Sequence, residues 1–305
     1  MKKIRILSIT LVAGINRFFQ SRRKISDCYI TYAGGWDGAC AQAHSIISIL
    51  LFARKYNIGY IHSPIKNVEH FDGDRTEWSS KWENTFSLGY GEKTLEDIDL
   101  KTIKTRRVKY PFLIRKRENT LYLVSNCHSY TDKFAKGYKT ITQSLRFKYW
   151  NFKEKINDGV EKKKLKICVH IRRGDVSESE NSFRYTKNSY LIKKIEVVYK
   201  TILSIGLTPS LFIFSQGVRA NFKEFERFDP KYYLNHDDFQ TFNHLVEADI
   251  LIMAKSSFSF VAALLNEKIV LYEPFWHSPL PGWINMKNSE TSVKNSLKKL
   301  LTHLK

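Results

Sequence analysis

At 305 residues, 43% hydrophobic and 14% aromatic, the chain can bury one large core or two of about 150 residues each, which excludes a disordered or fibrous protein. Fifty Lys and Arg against thirty Asp and Glu give a formal charge of +20, so the partners to expect are anionic: nucleic acid, lipid headgroups or phosphorylated small molecules. The four cysteines, Cys28, Cys40, Cys127 and Cys168, contain no C-x-x-C pair; that argues against a disulfide framework or a zinc site and suits reduced core residues of a cytosolic protein.

In chain order, "MKKIRILSITLVAGI" (1–15) has a basic start and an apolar run too short to span a bilayer, and reads as a first strand in preference to a signal. "CYITYA" (28–33) reads as a strand, "GGWDG" (34–38) as a tight glycine loop, and "ACAQAHSIISILLFARKY" (39–56) as a helix that leads to the strand "IGYIH" (58–62), which together make one βαβ unit. The polar stretch 67–104, with Trp78 and Trp82 set among charges, is expected to be a long irregular excursion. "TLYLV" (120–124) is a further strand, and the lysine-rich stretch 153–166 reads as the hinge between two halves.

The second half is more regular. "LKICVHI" alternates apolar residues at Leu165, Ile167, Val169 and Ile171. The helix that follows puts Leu191, Ile195, Val198 and Ile202 on one face, and Gly206 ends it. After the strand "LFIF" (211–214), "DDFQTFNHLVEA" (237–248) opens with N-cap residues and places Phe239, Phe242 and Val246 on one stripe. "DILIMA" (249–254), "KSSFSFVAALLN" (255–266) and "KIVLY" (268–272) then give strand, helix and strand, and Val293, Leu297, Leu300, Leu301 and Leu304 form an amphipathic C-terminal helix. The alternation defines an α/β protein.

Two loops at strand carboxyl ends stand out, because open α/β sheets place ligands there. In His170–Asp175, the fork of Arg172 or Arg173 can grip a phosphate through two hydrogen bonds, where a lysine offers only a point charge. Ser256 and Ser257 lie between a strand and a helix, so their hydroxyls and the free N–H groups of the helix would meet an anion. The competing readings are an ion pair with Asp175 for the arginines and simple capping for the serines.

The run His170-Ile171-Arg172-Arg173-Gly174-Asp175 resembles the H-x-R-R-x-D motif of the superfamily of α1,2-, α1,6- and protein O-fucosyltransferases. Residues 34–44 resemble that family's glycine loop and the Gln-containing helix after it, and residues 236–265 resemble its carboxy-terminal block. The resemblance implies a GT-B-like fold of two Rossmann-like β/α domains facing a cleft, with 1–157 on the acceptor side and 158–305 binding the nucleotide sugar. It implies an inverting, metal-independent transferase with no cofactor, which moves L-fucose from GDP-fucose to a carbohydrate or glycoconjugate acceptor in glycan biosynthesis. Arg172 takes the role of holding the β-phosphate, with His170, Arg173 and Asp175 shaping the donor pocket and Asp238, Ser256, Ser257 and Phe258 completing it. Two features depart from the family pattern: the first block lacks the G-x-G-N-Q form, and "FSQG" (214–217) stands where α1,2-fucosyltransferases carry an acidic F-S-D.

An inverting displacement needs a group to take the acceptor's proton. Asp37 in the glycine loop is the leading candidate, with Glu178 and His44 behind it, and the bland alternative for Asp37 is a turn residue. The stretch 67–104 and the aromatic loop 274–283 are candidates for acceptor recognition. Two other readings stay open. The same fold could use another donor, as a xylosyl- or rhamnosyltransferase, or the chain could be a non-enzymatic basic protein that binds nucleic acid, although it matches no nucleic-acid module. The expected location is the cytoplasm, with peripheral contact on an anionic membrane and no nucleic-acid partner.

Overall fold

The computed structural model describes residues 27–151, 153 and 164–302, and the chain divides into two compact units, Met1–Phe152 and Lys153–Lys305. The expected first strand (1–15), most of the lysine-rich stretch and Leu304 lie outside the described residues.

The first unit runs β1 (Cys28–Tyr32), α1 (Ala39–Tyr56), β2 (Gly59–Tyr60), α2 (Arg75–Phe86), β3 (Lys104–Val108), β4 (Thr120–Val124), α3 (His128–Thr131) and α4 (Thr142–Trp150). Among the described residues, four strands form a parallel sheet in the order β2-β1-β4-β3. Helix α1 is buried at almost every position from Ala39 to Ala53 and is therefore a core helix; it stops where Asn57 turns left-handed at φ 49°, with Arg54 and Lys55 complementing the dipole of its last turn.

The excursion expected over 67–104 is not irregular throughout. It contains α2, whose first turn is capped by the Asp74 carboxylate accepting from the Glu77 N–H at 2.9 Å. The helix buries Ser79, Trp82 and Phe86, the two rings stacking at 5.2 Å, and its Glu83 turns inward to accept from the Ile65 N–H at 2.9 Å. A one-residue-wide aromatic stripe among charges gives little periodicity to read, and that is why the helix was missed.

The second unit runs β5 (Lys164–Ile171), α5 (Asn188–Leu203), β6 (Thr208–Ser215), β7 (Lys231–Leu234), α6 (Asp238–Glu247), β8 (Ile250–Ile252), α7 (Ser257–Leu265), β9 (Ile269–Tyr272), β10 (Ile284–Asn285) and α8 (Glu290–Leu301). The six strands among the described residues are parallel, in the order β10-β9-β8-β5-β6-β7. Read from β7, this is the 3-2-1-4-5-6 order of a doubly wound dinucleotide-binding sheet, in which the winding reverses between β5 and β8. The alternating residues Ile167, Val169 and Ile171 of β5 pack into one core with Leu191, Ile195, Val198 and Ile202 of α5 and with Val293, Leu297 and Leu301 of α8. All four cysteines are buried, and no disulfide joins them.

Candidate functional site at the reversal point of the second sheet

Where the winding of an open α/β sheet reverses, the loops after the two central strands part and leave a crevice at their carboxyl ends. Here those strands are β5 and β8, and the loops are the two singled out in the sequence. Arg172 follows β5 and Ser256 follows β8, and the Arg172 Nη1 donates to the Ser256 hydroxyl at 3.3 Å. The other terminal nitrogen, Nη2, is 2.6 Å from the Asp175 carboxylate. Arg172 is thus held from both sides, with a fixed direction for its fork.

The third nitrogen is different. Arg172 Nε is shut from solvent and has no hydrogen-bond partner among the described residues, and the same holds for Nδ1 of His170, two positions back. Burial, with the Arg172 charge adding to it, pulls the His170 imidazole down to about 3, so the ring is neutral at physiological pH. Its ring lies 5.4 Å from that of Phe258. The Asp175 carboxyl is held below its usual range: burial opposes this, but the hydrogen bond and charge of Arg172 outweigh it.

Arg173 faces the protein. It donates to the Arg172 carbonyl at 2.8 Å, the Thr186 carbonyl at 3.0 Å and Asn188 Oδ1 at 2.8 Å, and it lies 4.2 Å over the Tyr185 ring. It fastens the loop that carries Arg172. Gly174 has φ +81°, and a Cβ there would stand 2.1 Å from the Gln216 Oε1. Gln216, from the divergent "FSQG" run at the end of β6, is therefore packed against the arginine loop. Ser256 caps α7, accepting from the Phe258 N–H at 3.2 Å, and is buried, while Ser257 and Phe258 are partly exposed in its first turn.

The remaining sequence candidates are not gathered here. Glu178 is exposed and forms a surface pair with Lys187 at 3.4 Å. Asp238 is exposed in the first turn of α6, and the helix is capped by its neighbour Asp237, which accepts from the Gln240 N–H at 2.8 Å. Asp37 belongs to the first unit: its carboxylate is exposed, accepts from the Gly38 N–H at 2.8 Å and shapes the turn before α1. His44 lies in α1, with its Nε2 2.5 Å from the Tyr138 hydroxyl and its ring stacked on His128 at 4.6 Å.

Sequence reading missed one neighbouring group. Glu273 directly follows β9 and is buried at 3% exposure, with Lys255 Nζ at 3.9 Å. Burial pushes its carboxyl up, offset only in part by the Tyr190 hydroxyl and by Lys255, Lys287 and Lys194. Lys255 also donates to the Tyr185 carbonyl at 3.1 Å, on the segment that Arg173 grips. A buried acid just past a predicted strand end was the available signal; that β8 and β9 are neighbours was not written in the sequence.

No protein-family model matches the chain, and no curated protein matches it. Solved structures similar to it include POFUT1 in complex with GDP-fucose, at 9% identity and TM-score 0.44, covering 80% of this chain and 95% of that one. A mutant of Arabidopsis thaliana FUT1 in complex with GDP matches at 9% identity and TM-score 0.41, covering 87% and 76%. The NodZ fucosyltransferase from Bradyrhizobium matches at 10% identity and TM-score 0.36, covering 79% and 92%.

Proposed function

We propose that the chain is an inverting, metal-independent glycosyltransferase of the fucosyltransferase kind, whose second unit holds the diphosphate of a nucleotide sugar, GDP-fucose, at the β5–β8 reversal. The observation that carries this is the state of Arg172: a cation fixed by Asp175 and Ser256, with a dry, unpartnered Nε–H and, two positions back in the chain, an unpartnered His170 nitrogen. Buried polar groups without partners are uncommon in finished protein interiors, and a phosphate oxygen is a natural complement to such an N–H. The nearby N-terminus of α7 adds oriented N–H groups.

The chemistry follows from that placement. As the bond between the sugar's anomeric carbon and the phosphate oxygen breaks, the electron pair leaves with the diphosphate, and the acceptor oxygen bonds to the opposite face of the carbon and loses its proton. Arg172 stabilises the charge that accumulates on the leaving group, and being already oriented it needs no reorganisation as the bond breaks. His170, neutral and packed on Phe258, supplies shape and a hydrogen-bonding nitrogen in place of charge. The exposed carboxylates Asp37 and Glu178 are the proposed proton acceptors. Asp238, Ser257 and Phe258 are the proposed remaining contacts to the donor.

The test is a thermal-shift comparison of GDP, UDP and dTDP, each with and without a chelator. A ligand that binds only the folded chain at a hundred times its Kd adds about 2.7 kcal/mol of stability. GDP raising the melting temperature by several degrees in chelator, with UDP and dTDP flat, is the expected result. A UDP or dTDP response in place of GDP would move the reading to another nucleotide sugar, such as that of a xylosyl- or rhamnosyltransferase. No response to any of the three overturns the diphosphate reading.

A further inference from the structure

The first unit carries a charge feature that is separate in the chain from the Arg172 loop. Between Leu100 and Arg117 there are eight basic residues and no acidic one. The segment contains β3, which among the described residues is an edge strand paired with β4 alone. Strands of parallel sheets normally lie under helices on both faces and read as apolar runs. This one is "KTRRV", exposed from Lys104 to Arg107. Its register, Lys104 opposite Thr120 and Arg106 opposite Tyr122, puts Lys104 and Arg106 on one face and Arg107 on the other. Among the described residues, none of Lys101, Lys104, Arg106, Arg107, Lys109 and Arg117 pairs with a carboxylate.

The strand runs into a loop of another character. Tyr110 and Phe112 stack at 5.0 Å, nearly parallel at 8°, with Lys109 Nζ 5.6 Å over the first ring and Lys133 Nζ 5.8 Å over the second. Leu113 beside them is 45% exposed, and Leu100 at the other end of the segment is 52% exposed. The rings are occupied by each other and by lysines, which leaves them poorly placed to stack bases, as a nucleic-acid surface requires. Exposed leucines flanked by aromatic rings and a field of unpaired cations match the boundary between headgroups and acyl chains.

We propose that this edge, β3 with the loop 109–113, is a docking surface for an anionic lipid membrane: the arginines and lysines meet the headgroups and Leu113 enters the apolar boundary. Charge complementarity commits the surface to anionic lipid, because each basic group near such a surface adds to the attraction and the effect fades within a Debye length, about 8 Å at physiological salt.

The test is co-sedimentation of the full chain with phosphatidylcholine vesicles and with vesicles containing about one third phosphatidylglycerol, at physiological ionic strength. The chain should pellet with the anionic vesicles only. Arg106→Glu/Arg107→Glu should weaken binding about tenfold or more, and Leu113→Asp should weaken it separately. Lys294→Glu/Lys298→Glu, the same charge change on exposed positions of α8, should change it less than about twofold. Should the glutamate pair lower the melting temperature, Arg106→Gln/Arg107→Gln takes its place. Equal losses in the β3 and α8 variants would mean that net charge alone acts, and the proposal falls. It falls equally if a short RNA binds as tightly as the vesicles and Leu113→Asp changes neither.

Discussion

Arg172 and Arg173 are adjacent, share a residue type and differ in everything the structure gives them, so the pair of lysine substitutions is the sharpest test of the site. In Arg172→Lys the charge stays, but one ammonium cannot keep the contacts to Asp175 and Ser256 and also present an N–H where Nε now points. If that N–H serves the leaving diphosphate, removing it resembles the loss of one oxyanion donor, about 3 kcal/mol or a hundredfold or more in kcat/KM, with little change in stability. Arg173→Lys should do the reverse. Its guanidinium makes three hydrogen bonds and stacks on Tyr185, and a lysine can keep one or two of these contacts. At about 1 kcal/mol per bond, the fold should lose roughly 2 kcal/mol while turnover falls only a few-fold. The assays are kcat/KM with the donor that the thermal-shift comparison identifies, its Kd, and melting curves for both variants. Equal activity losses that track equal stability losses would falsify the division of labour and reduce the pair to a structural element.

Two further outcomes follow from neighbouring residues. Glu273 is held above its ordinary value of 4.5 in the folded chain, so the folded state binds its proton more readily than the unfolded one. The stability this contributes is full below about pH 4.5 and fades as pH rises through the folded pKa. Glu273→Gln, which imitates the protonated acid, should therefore raise the melting temperature near neutral pH and leave it unchanged at low pH, and a gain that does not vary with pH would count against the buried-acid assignment. Gly174→Ala forces a side chain into φ +81° and against Gln216; it should cost about 1 kcal/mol of backbone strain and cut turnover by shifting Arg172. Adding Gln216→Ala to that variant should recover part of the turnover, and no recovery would show that the contact with Gln216 is not what sets the loop.

What the sequence made legible was local. Helix α1 begins at Ala39 and ends at Tyr56 because a glycine loop opens it and Asn57 takes a left-handed conformation at its end, both readable from residue type. The strands β5, β8 and β9 and the helix α7 were visible as apolar runs between capping residues. The polar elements were not. α2 hides its stripe among charges, and β3 has one apolar residue in five, Val108, so neither period reaches the level at which pattern can be told from loop. His44 could be placed on a helix from the sequence, but its contact with the Tyr138 hydroxyl, 94 residues on, could not.

The candidate site divides along the same line. Arg172 and Ser256 could each be placed at a strand end, but their meeting depends on β5 and β8 being neighbours, which is a property of the sheet order. That order also changes what the positive charge means. Composition gives +20 without distinguishing one arginine from another. In the structure, Arg172 is partly enclosed, with its direction fixed and one N–H dry, so its field acts at hydrogen-bond distance and is weakly screened. Arg106 and Arg107 are solvated on an edge strand, where direction is free and salt screens them beyond the Debye length. A group that must stabilise charge at one atom during bond cleavage needs the first environment, and a group that holds a chain against an extended anionic surface works best in the second. Under the two proposals made above, the charge excess serves two kinds of partner, and burial, not residue type, decides which arginine belongs to which.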